Sequence, residues 1–283
     1  MVMKRATLAA ASMLVLASFL TPAAAADLAP APDTSGWRFT LAPYVWGVGL
    51  SGDVGLFGRG PVDVDIPFSD ILENLDFAAM GVAEAHNGTW GVFVDLNYTS
   101  LSADGSRSRT LEKDLLILKP SITAEVSAEA DIKEFIGTFM GQWRAVNSDQ
   151  MTLDVMAGAR YWHVDNEIEA RVNVEVNGLL GFNPALSKEL SGSDGASWVD
   201  PMVGIKSRID TDTAFYFTGW GMIGGFGIGS DFNWDVMGGV GYEWTDHFST
   251  VLGYRALGVD YEDDGFVYDV IQQGVALGAV VTF

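Results

Sequence analysis

Alternation of apolar and polar residues with period two, broken at intervals by turn residues, is the feature that most limits what this chain can fold into. In Trp90 to Leu101 one row carries Trp90, Val92, Val94, Leu96 and Tyr98, and the other carries Gly91, Phe93, Asp95, Asn97 and Thr99. Successive side chains of a strand point to opposite faces. An apolar row with an aromatic at each end, backed by a mostly polar row, suits a strand with lipid outside and a polar lumen inside. Glu134 to Val146 repeats the design, with Phe135, Gly137, Phe139, Gly141 and Trp143 opposite Glu134, Thr138, Gln142 and Arg144. So does Thr152 to Asp165, with Leu153, Val155, Ala157, Ala159 and Tyr161 opposite Thr152, Asp154, Met156 and Arg160. In Asp231 to Trp244 the apolar row runs from Phe232 through Trp234, Val236, Val240 and Tyr242 to Trp244, opposite Asp235 and Glu243.

Weaker alternation marks Trp37 to Leu50, Phe77 to Asn87, Trp198 to Ile209, Ala214 to Gly225, Phe248 to Tyr261 and Val267 to Phe283. In Ala214 to Gly225 both faces are apolar, so its phase stays open. The fold class is all-β: a transmembrane antiparallel up-and-down barrel of about ten strands. Such barrels alternate short periplasmic turns with longer extracellular loops. Short links fall at Asn87-Gly88, Asn147 to Gln150, Asp210 to Thr213 and Thr245 to His247. Asn-Gly is a favoured hairpin pair because both residues tolerate positive φ. Long stretches at Ser51 to Asp76, Ser102 to Asp131 and Asn166 to Ala196 become extracellular loops, with shorter ones at Gly227 to Ser230 and Glu262 to Gly265. Within the first, Phe68 to Leu75 reads as a short helical turn capped by Asp70 and answered by Glu73.

The start of the chain fits export. Lys4 and Arg5 precede an apolar stretch from Ala6 to Leu20, then Pro22 and the string Ala23 to Ala26. This reads as a signal peptide over 1–26, cleaved after Ala25 or Ala26, followed by a short leader over 27–36 and the barrel over 37–283. The hydrophobic fraction is 48%, yet after Ala26 no apolar run approaches the ~18–20 residues of a spanning helix. Without Lys4 and Arg5 the chain carries 14 basic against 37 acidic residues, a net charge of −23. That balance argues against nucleic acid, whose binding rests on basic side chains at phosphates. An acidic surface either recruits divalent cations or belongs to solvated loops. With no cysteine there is no disulfide framework, thiolate metal site or thiol nucleophile. No cofactor or metal is expected. At the end of the chain, Phe283 closes an alternation through Val281, Ala279, Leu277 and Val275. This is similar to the terminal strand by which the outer-membrane barrel-assembly machinery recognises its clients, and implies that partner alongside outer-membrane lipid and lipopolysaccharide.

The segments WRFTLAPYVWGVGLSGDVG, PFSDILENLDFAAM, WVDPMVGIK, GGFGIGSDFNW and GYRALGVDY resemble a family of outer-membrane β-barrel proteins common in alphaproteobacteria, described as porin-like and largely uncharacterised. The resemblance spans nearly all of the chain after the leader. It implies a barrel in the bacterial outer membrane and carries over no catalytic residue.

Two constellations invite chemistry. Gly219 to Gly224 matches the dinucleotide fingerprint letter for letter, but that loop works only between a strand and a helix, and here it lies inside a β segment. Close strand packing is the expectation. His163 and Asp165, with Asp63 and Asp65 in the first outer loop, resemble the His and Asp pairs of omptin-type outer-membrane proteases, which activate water. The order is reversed, however, and the alternation from Leu153 to Tyr161 points His163 outward. Lipid-modifying barrels need a Ser beside such a His at the outer leaflet; none adjoins His163 in sequence, so that reading rests on what folding brings there. The remaining histidines, His86 and His247, lie next to short turns, and no catalytic residue is assigned.

The inward rows place Asp95, Arg144, Asp154, Arg160, Lys206, Arg208, Asp235, Glu243 and Arg255 in the lumen. Charges of both signs in a narrow barrel either pair across it and plug it or line a water channel that selects ions. About ten strands leave little free width, since eight are just filled by their own side chains. The expected function is a non-enzymatic outer-membrane barrel, structural or a narrow porin-like channel for small solutes. The alternative is a surface-binding or adhesion protein acting through acidic loops, and after it an outer-membrane hydrolase centred on His163 with Asp165.

Overall fold

The computed structural model describes residues 36–283 apart from 59, 113–120 and 178–184, with the backbone alone over 105–112, 121–124, 126, 128, 174–177 and 185–186. The signal peptide and all but the last residue of the leader lie outside the described residues.

The alternating segments form strands β1 (Arg38–Gly55), β3 (Leu75–His86), β4 (Trp90–Glu112), β5 (Ser121–Asn147), β6 (Met151–Asn177), β7 (Ala185–Asp210), β8 (Phe215–Gly225), β9 (Phe232–Thr245), β10 (Phe248–Asp263) and β11 (Phe266–Thr282). A short β2 (Val62–Ile66) and one helical turn, α1 (Phe68–Glu73), stand between β1 and β3. Sequential neighbours pair antiparallel, and β11 returns to β1, so the ten long strands close into a barrel. Closure leaves the sheet without a free end strand, as lipid requires, apart from a break in the β1–β3 ladder beyond Pro43↔Gly81. At the closing seam the Phe283 N–H donates to Phe39 O at 2.9 Å, the Phe39 N–H donates to Phe283 O at 2.8 Å, and the two rings stack at 6.3 Å.

Prolines mark where ladders stop. The β1–β3 ladder ends at the pair Pro43↔Gly81, and the β7–β8 ladder ends at Met202, next to Pro201. Proline has no N–H to give a ladder, so its free flank faces a place where no partner strand stands.

The connections at one end are short, at 87–89, 148–150, 211–214 and 246–247. At Asn87-Gly88 only Gly88 takes positive φ, at 92°. Asn87 instead turns the chain with its side chain, Oδ1 accepting the N–H groups of Thr89 and Trp90 at 3.0 and 2.8 Å. At the other end, much of the sequence read as loop is strand: β4 runs on to Glu112, β5 begins at Ser121, β6 reaches Asn177 and β7 begins at Ala185. These extensions pair with one another across the whole register, so the ladder continues past the apolar band. Nor does Asp70 cap α1. The helix starts two residues earlier, with Pro67 O accepting the N–H groups of Asp70 and Ile71 at 3.1 and 3.2 Å and no side-chain cap.

The outer face carries the apolar row. Trp90, Val92, Phe139, Trp143, Val199, Phe217, Leu252, Val275 and Leu277 are all exposed. Among the described residues no helix is long and apolar enough to cross a membrane, so the crossing elements are the strands. The phase left open at β8 resolves with Tyr216, Trp220 and Met222 inward and Phe215, Phe217 and Ile223 outward. Inside, one strand samples the layers of the lumen. Along β6 the inward positions are Asp154, Met156, Gly158, Arg160, Trp162 and Val164. They pass from an ionic layer near the short turns, through a methionine layer with Phe93, Met140, Met202 and Met222, to a central ionic layer and then an aromatic one.

Candidate functional site

The central ionic layer is the most connected feature of the lumen. Arg255, on β10, donates from Nε to Asp235 Oδ1 at 3.1 Å and from Nη2 to Asp235 Oδ2 and Asp95 Oδ2, both at 2.7 Å. Its Nη1 donates to the Tyr44 hydroxyl at 2.6 Å. That hydroxyl, which has one proton to give, lies 2.7 Å from both Asp95 Oδ1 and Asn97 Oδ1. Arg160, on β6, reaches Asp235 Oδ2 at 2.6 Å, Thr138 Oγ1 at 2.8 Å and Asn233 Oδ1 at 2.9 Å. Trp220 Nε1 adds a bond to Asp235 Oδ1 at 3.0 Å. Asn233 passes the network on to Asp200 at 2.8 Å, whose other oxygen accepts the Ser230 N–H at 2.7 Å. Side chains from β1, β4, β5, β6, β7, β8, β9 and β10 therefore meet in one layer.

The layer is dry. Arg160 and Asp235 are 0% exposed, and Asp95 and Arg255 1%. A buried charge is tolerated only when paired and hydrogen-bonded, and two guanidiniums shared between two carboxylates meet that condition. The Arg255 guanidinium also lies 4.9 Å from the Trp46 ring and 5.5 Å from the Trp220 ring, within cation–π range.

A second group of charges lies toward the short turns. Arg144 grips Asp154 with a two-pronged contact, Nε to Oδ1 at 2.6 Å and Nη2 to Oδ2 at 3.1 Å, and His86 Nε2 stands 3.6 Å from the same carboxylate. Lys206 reaches from β7 to Glu84 on β3. Arg208 bonds Asp210 at 2.6 Å, pairs with Glu243 and covers the Tyr216 ring at 3.6 Å. Glu243 is 48% exposed and Arg208 33%, so these two stand at the mouth of the barrel and not inside its packed lumen.

The nine charges read from the inward rows thus form two clusters, with Asp95, Arg160, Asp235 and Arg255 at the centre and the other five nearer the short turns. Asn97 and Thr138 stand in the polar rows of that reading without a role; missing from it are Tyr44, Glu84, Asp200, Trp220 and Asn233. Asp200 and Asn233 keep the phase of Lys206 and Asp235, so extending the inward rows by three steps and by one reaches them. Tyr44 and Trp220 carry the aromatic signature of an interfacial girdle and give no local hint of a lumenal hydrogen bond.

The protease-like constellation does not assemble. His163 lies exposed on the outer wall of β6, with Nδ1 2.8 Å from Ser197 Oγ across the β6–β7 pair. Asp63 and Asp65 are on β2, which pairs with β1, and β5, β4 and β3 stand between β6 and β1. The dinucleotide-like glycines lie within β8, with no helix after them, and a Cβ at Gly219 would meet the Met237 carbonyl.

No family model matches the chain, and no curated relative matches it. Solved structures do. The crystal structure of outer membrane protease OmpT from Escherichia coli aligns with a TM-score of 0.51 at 11% identity, over 88% of this chain and 98% of that one. Ail, the attachment invasion locus protein of Yersinia pestis, aligns at 12% identity and a TM-score of 0.31, over 88% and 99%. Neisserial surface protein A aligns at 9% identity and a TM-score of 0.28, over 88% and 99%. At such identities the likeness is one of fold, and of these only the first is close enough in shape to support an argument. With its closed antiparallel wall, apolar outer band and packed ionic lumen, the chain is an outer-membrane β-barrel.

Proposed function

We propose that this chain is a closed, non-conducting barrel that acts in the outer membrane as a structural element rather than a porin-like channel. The observation that carries this reading is the Arg255 guanidinium held between Asp95 and Asp235, with Arg160 also on Asp235 and none of the four side chains more than 2% exposed. An ion crossing this layer needs water or free ligands, and each charge here is already spent on its neighbour. Reconstitution of the mature protein into planar bilayers tests the reading. Silence from the wild type, with channel events appearing when Arg160 and Arg255 are both replaced by Ala, supports a plug. Reproducible wild-type conductance whose ion preference shifts with Arg160 or Asp95 makes the protein a small porin.

The alternative, surface binding, draws on strand length. β5 and β6 each have 27 residues, whereas crossing a bilayer takes about 9–11. By the rule that short turns are periplasmic, the excess stands outside the cell, where lipopolysaccharide or a partner molecule meets it. Trimming 105–128 and 168–192 tests this: a trimmed barrel that stays heat-modifiable but loses cell-surface binding supports it, and unchanged binding removes it. Kinship with the alphaproteobacterial porin-like family belongs to the same proposal, as does engagement of the barrel-assembly machinery through Phe283.

A further inference from the structure

Among the described residues two lumenal carboxylates are hydrogen-bonded by neutral groups alone: Asp200, fully buried between Asn233 and the Ser230 N–H, and Glu134, which keeps exposed surface. Glu84, Asp95, Asp154 and Asp235 each face a Lys or Arg. Glu134, inward on β5 at the aromatic layer, has neutral partners among the described residues. Tyr268 Oη and Gln272 Nε2 both donate to its Oε2 at 2.7 Å. A carboxylate in low dielectric without a cation is costly, and two neutral donors on one oxygen offset only part of that cost.

The wall beside it is interrupted. Above Pro43↔Gly81 the β1–β3 ladder stops, and β1 pairs again on that flank only at Leu50↔Ile66, with β2. The part of β3 from Leu75 to Met80 is paired with β4 alone. This leaves a seam between Tyr44 to Gly49 and Leu75 to Met80. Phe68, at the start of α1, lies over β1 here, its ring 3.4 Å from where a Cβ on Gly47 would stand. The inward side chains flanking the seam, Val48 and Met80, are half-buried, as is Glu134. In a closed barrel an inward side chain keeps exposed surface only where the lumen has space. Met80 pairs with Asn97, and Asn97 with Ile136, the inward neighbour of Glu134, so carboxylate and seam lie two strands apart, roughly 10 Å.

We propose that this upper lumen binds an amphiphilic amine, with its ammonium on Glu134, its hydrocarbon along Val48 and Met80, and the β1–β3 seam as its way in from the lipid. A hard metal ion fits poorly, because it needs several oxygen ligands and the described residues offer no group of three acids or histidines. An ammonium needs one carboxylate and takes the rest of its stabilisation from apolar contact.

The test is calorimetry of the refolded mature barrel in non-ionic detergent at neutral pH, with hexylammonium chloride and, in parallel, hexanol. Saturable hexylammonium binding at least tenfold tighter than hexanol binding is expected, since charge-assisted bonds are about twice as strong as neutral ones. Glu134→Gln should abolish that preference while leaving hexanol unchanged, and Met80→Trp should weaken both ligands by filling the space. Absence of saturable binding, equal affinity for the two probes, or a preference that survives Glu134→Gln overturns the proposal. If Glu134→Gln fails to fold, judged by loss of its heat-induced gel shift, the two-probe comparison on wild type and Met80→Trp still decides.

Discussion

Arg160 and Asp235 meet at 2.6 Å with no solvent-exposed surface on either side chain. Asp235 also holds Arg255, so its removal strands two buried cations at once. Breaking a buried pair from one side costs about 3–5 kcal/mol. Asp235→Ala should therefore lower stability in urea by at least that much. Replacing Asp95, Arg160, Asp235 and Arg255 together with apolar residues of similar volume, so that no buried charge is left unpaired, should cost less than Asp235→Ala alone. Urea titrations of the folded fraction, followed by the gel shift on heating, measure both. A quadruple variant weaker than the single one would show that the layer stabilises beyond its own desolvation cost.

The inward phase of β4, β5, β6 and β9 was readable because each strand carries charges on one face and large apolar groups on the other. β8 hid its phase because its inward Tyr216, Trp220 and Met222 are as apolar as its outward Phe215, Phe217 and Ile223. The partners of the charges were less readable. Arg255 lies 20 residues from Asp235 but 160 from Asp95, and a one-residue slip of any intervening register would turn a side chain to the other face. The strand extensions were hidden for two reasons. Ser102 to Glu112 mixes polar and small residues, which outside lipid reads as loop until the ladder with β5 makes it strand. Asn166 to Asn177 does alternate, Ile168, Ala170, Val172, Val174 and Val176 against Glu, Arg and Asn, but its apolar row lacks the aromatic ends of a lipid-crossing strand and so reads as outer loop.

Glycines at strand crossings should separate sharply. A Cβ on Gly274 would overlap the Gly47 carbonyl at the β1–β11 closure, and one on Gly158 would overlap the Phe139 carbonyl, whereas one on Gly221 meets nothing within 4 Å. Gly274→Ala and Gly158→Ala should reduce the yield of heat-modifiable protein several-fold. Gly221→Ala, inside the dinucleotide-like run, should refold like wild type. Gel-shift yields from parallel refolding compare the three, and a failure of Gly221→Ala would restore a special role to that run.

Asp260 lies at the long-strand rim beyond the apolar band, close to Asp269, Asp231 and Glu262. Partial burial, and then repulsion from these acids, raise its carboxyl above the usual carboxylate range. A raised acid stabilises the fold below its unfolded value and loses that contribution as pH rises through its folded value. Asp260→Asn should therefore raise the melting temperature at pH 7.5 and leave it unchanged near pH 3. Melting curves at the two pH values check the sign, and an Asp260→Asn variant less stable at pH 7.5 would show that repulsion from the neighbouring acids does not weaken the fold there.

Replacing Phe283 tests folding and assembly separately. Its ring stacks on Phe39, and its backbone makes two bonds across the closing seam. The backbone bonds survive Phe283→Ala, while loss of an aromatic pair costs about 0.5–1.5 kcal/mol beyond buried area. Refolding into lipid vesicles without other proteins should therefore succeed for Phe283→Ala, with only a modest drop in urea resistance. In cells, if the terminal aromatic is also the feature that the assembly machinery grips, the amount of folded protein in the outer membrane should fall far more than that drop explains. Comparing the two losses is the measurement. Equal losses would make Phe283 a closure residue alone, because a purely structural side chain acts alike wherever the barrel folds.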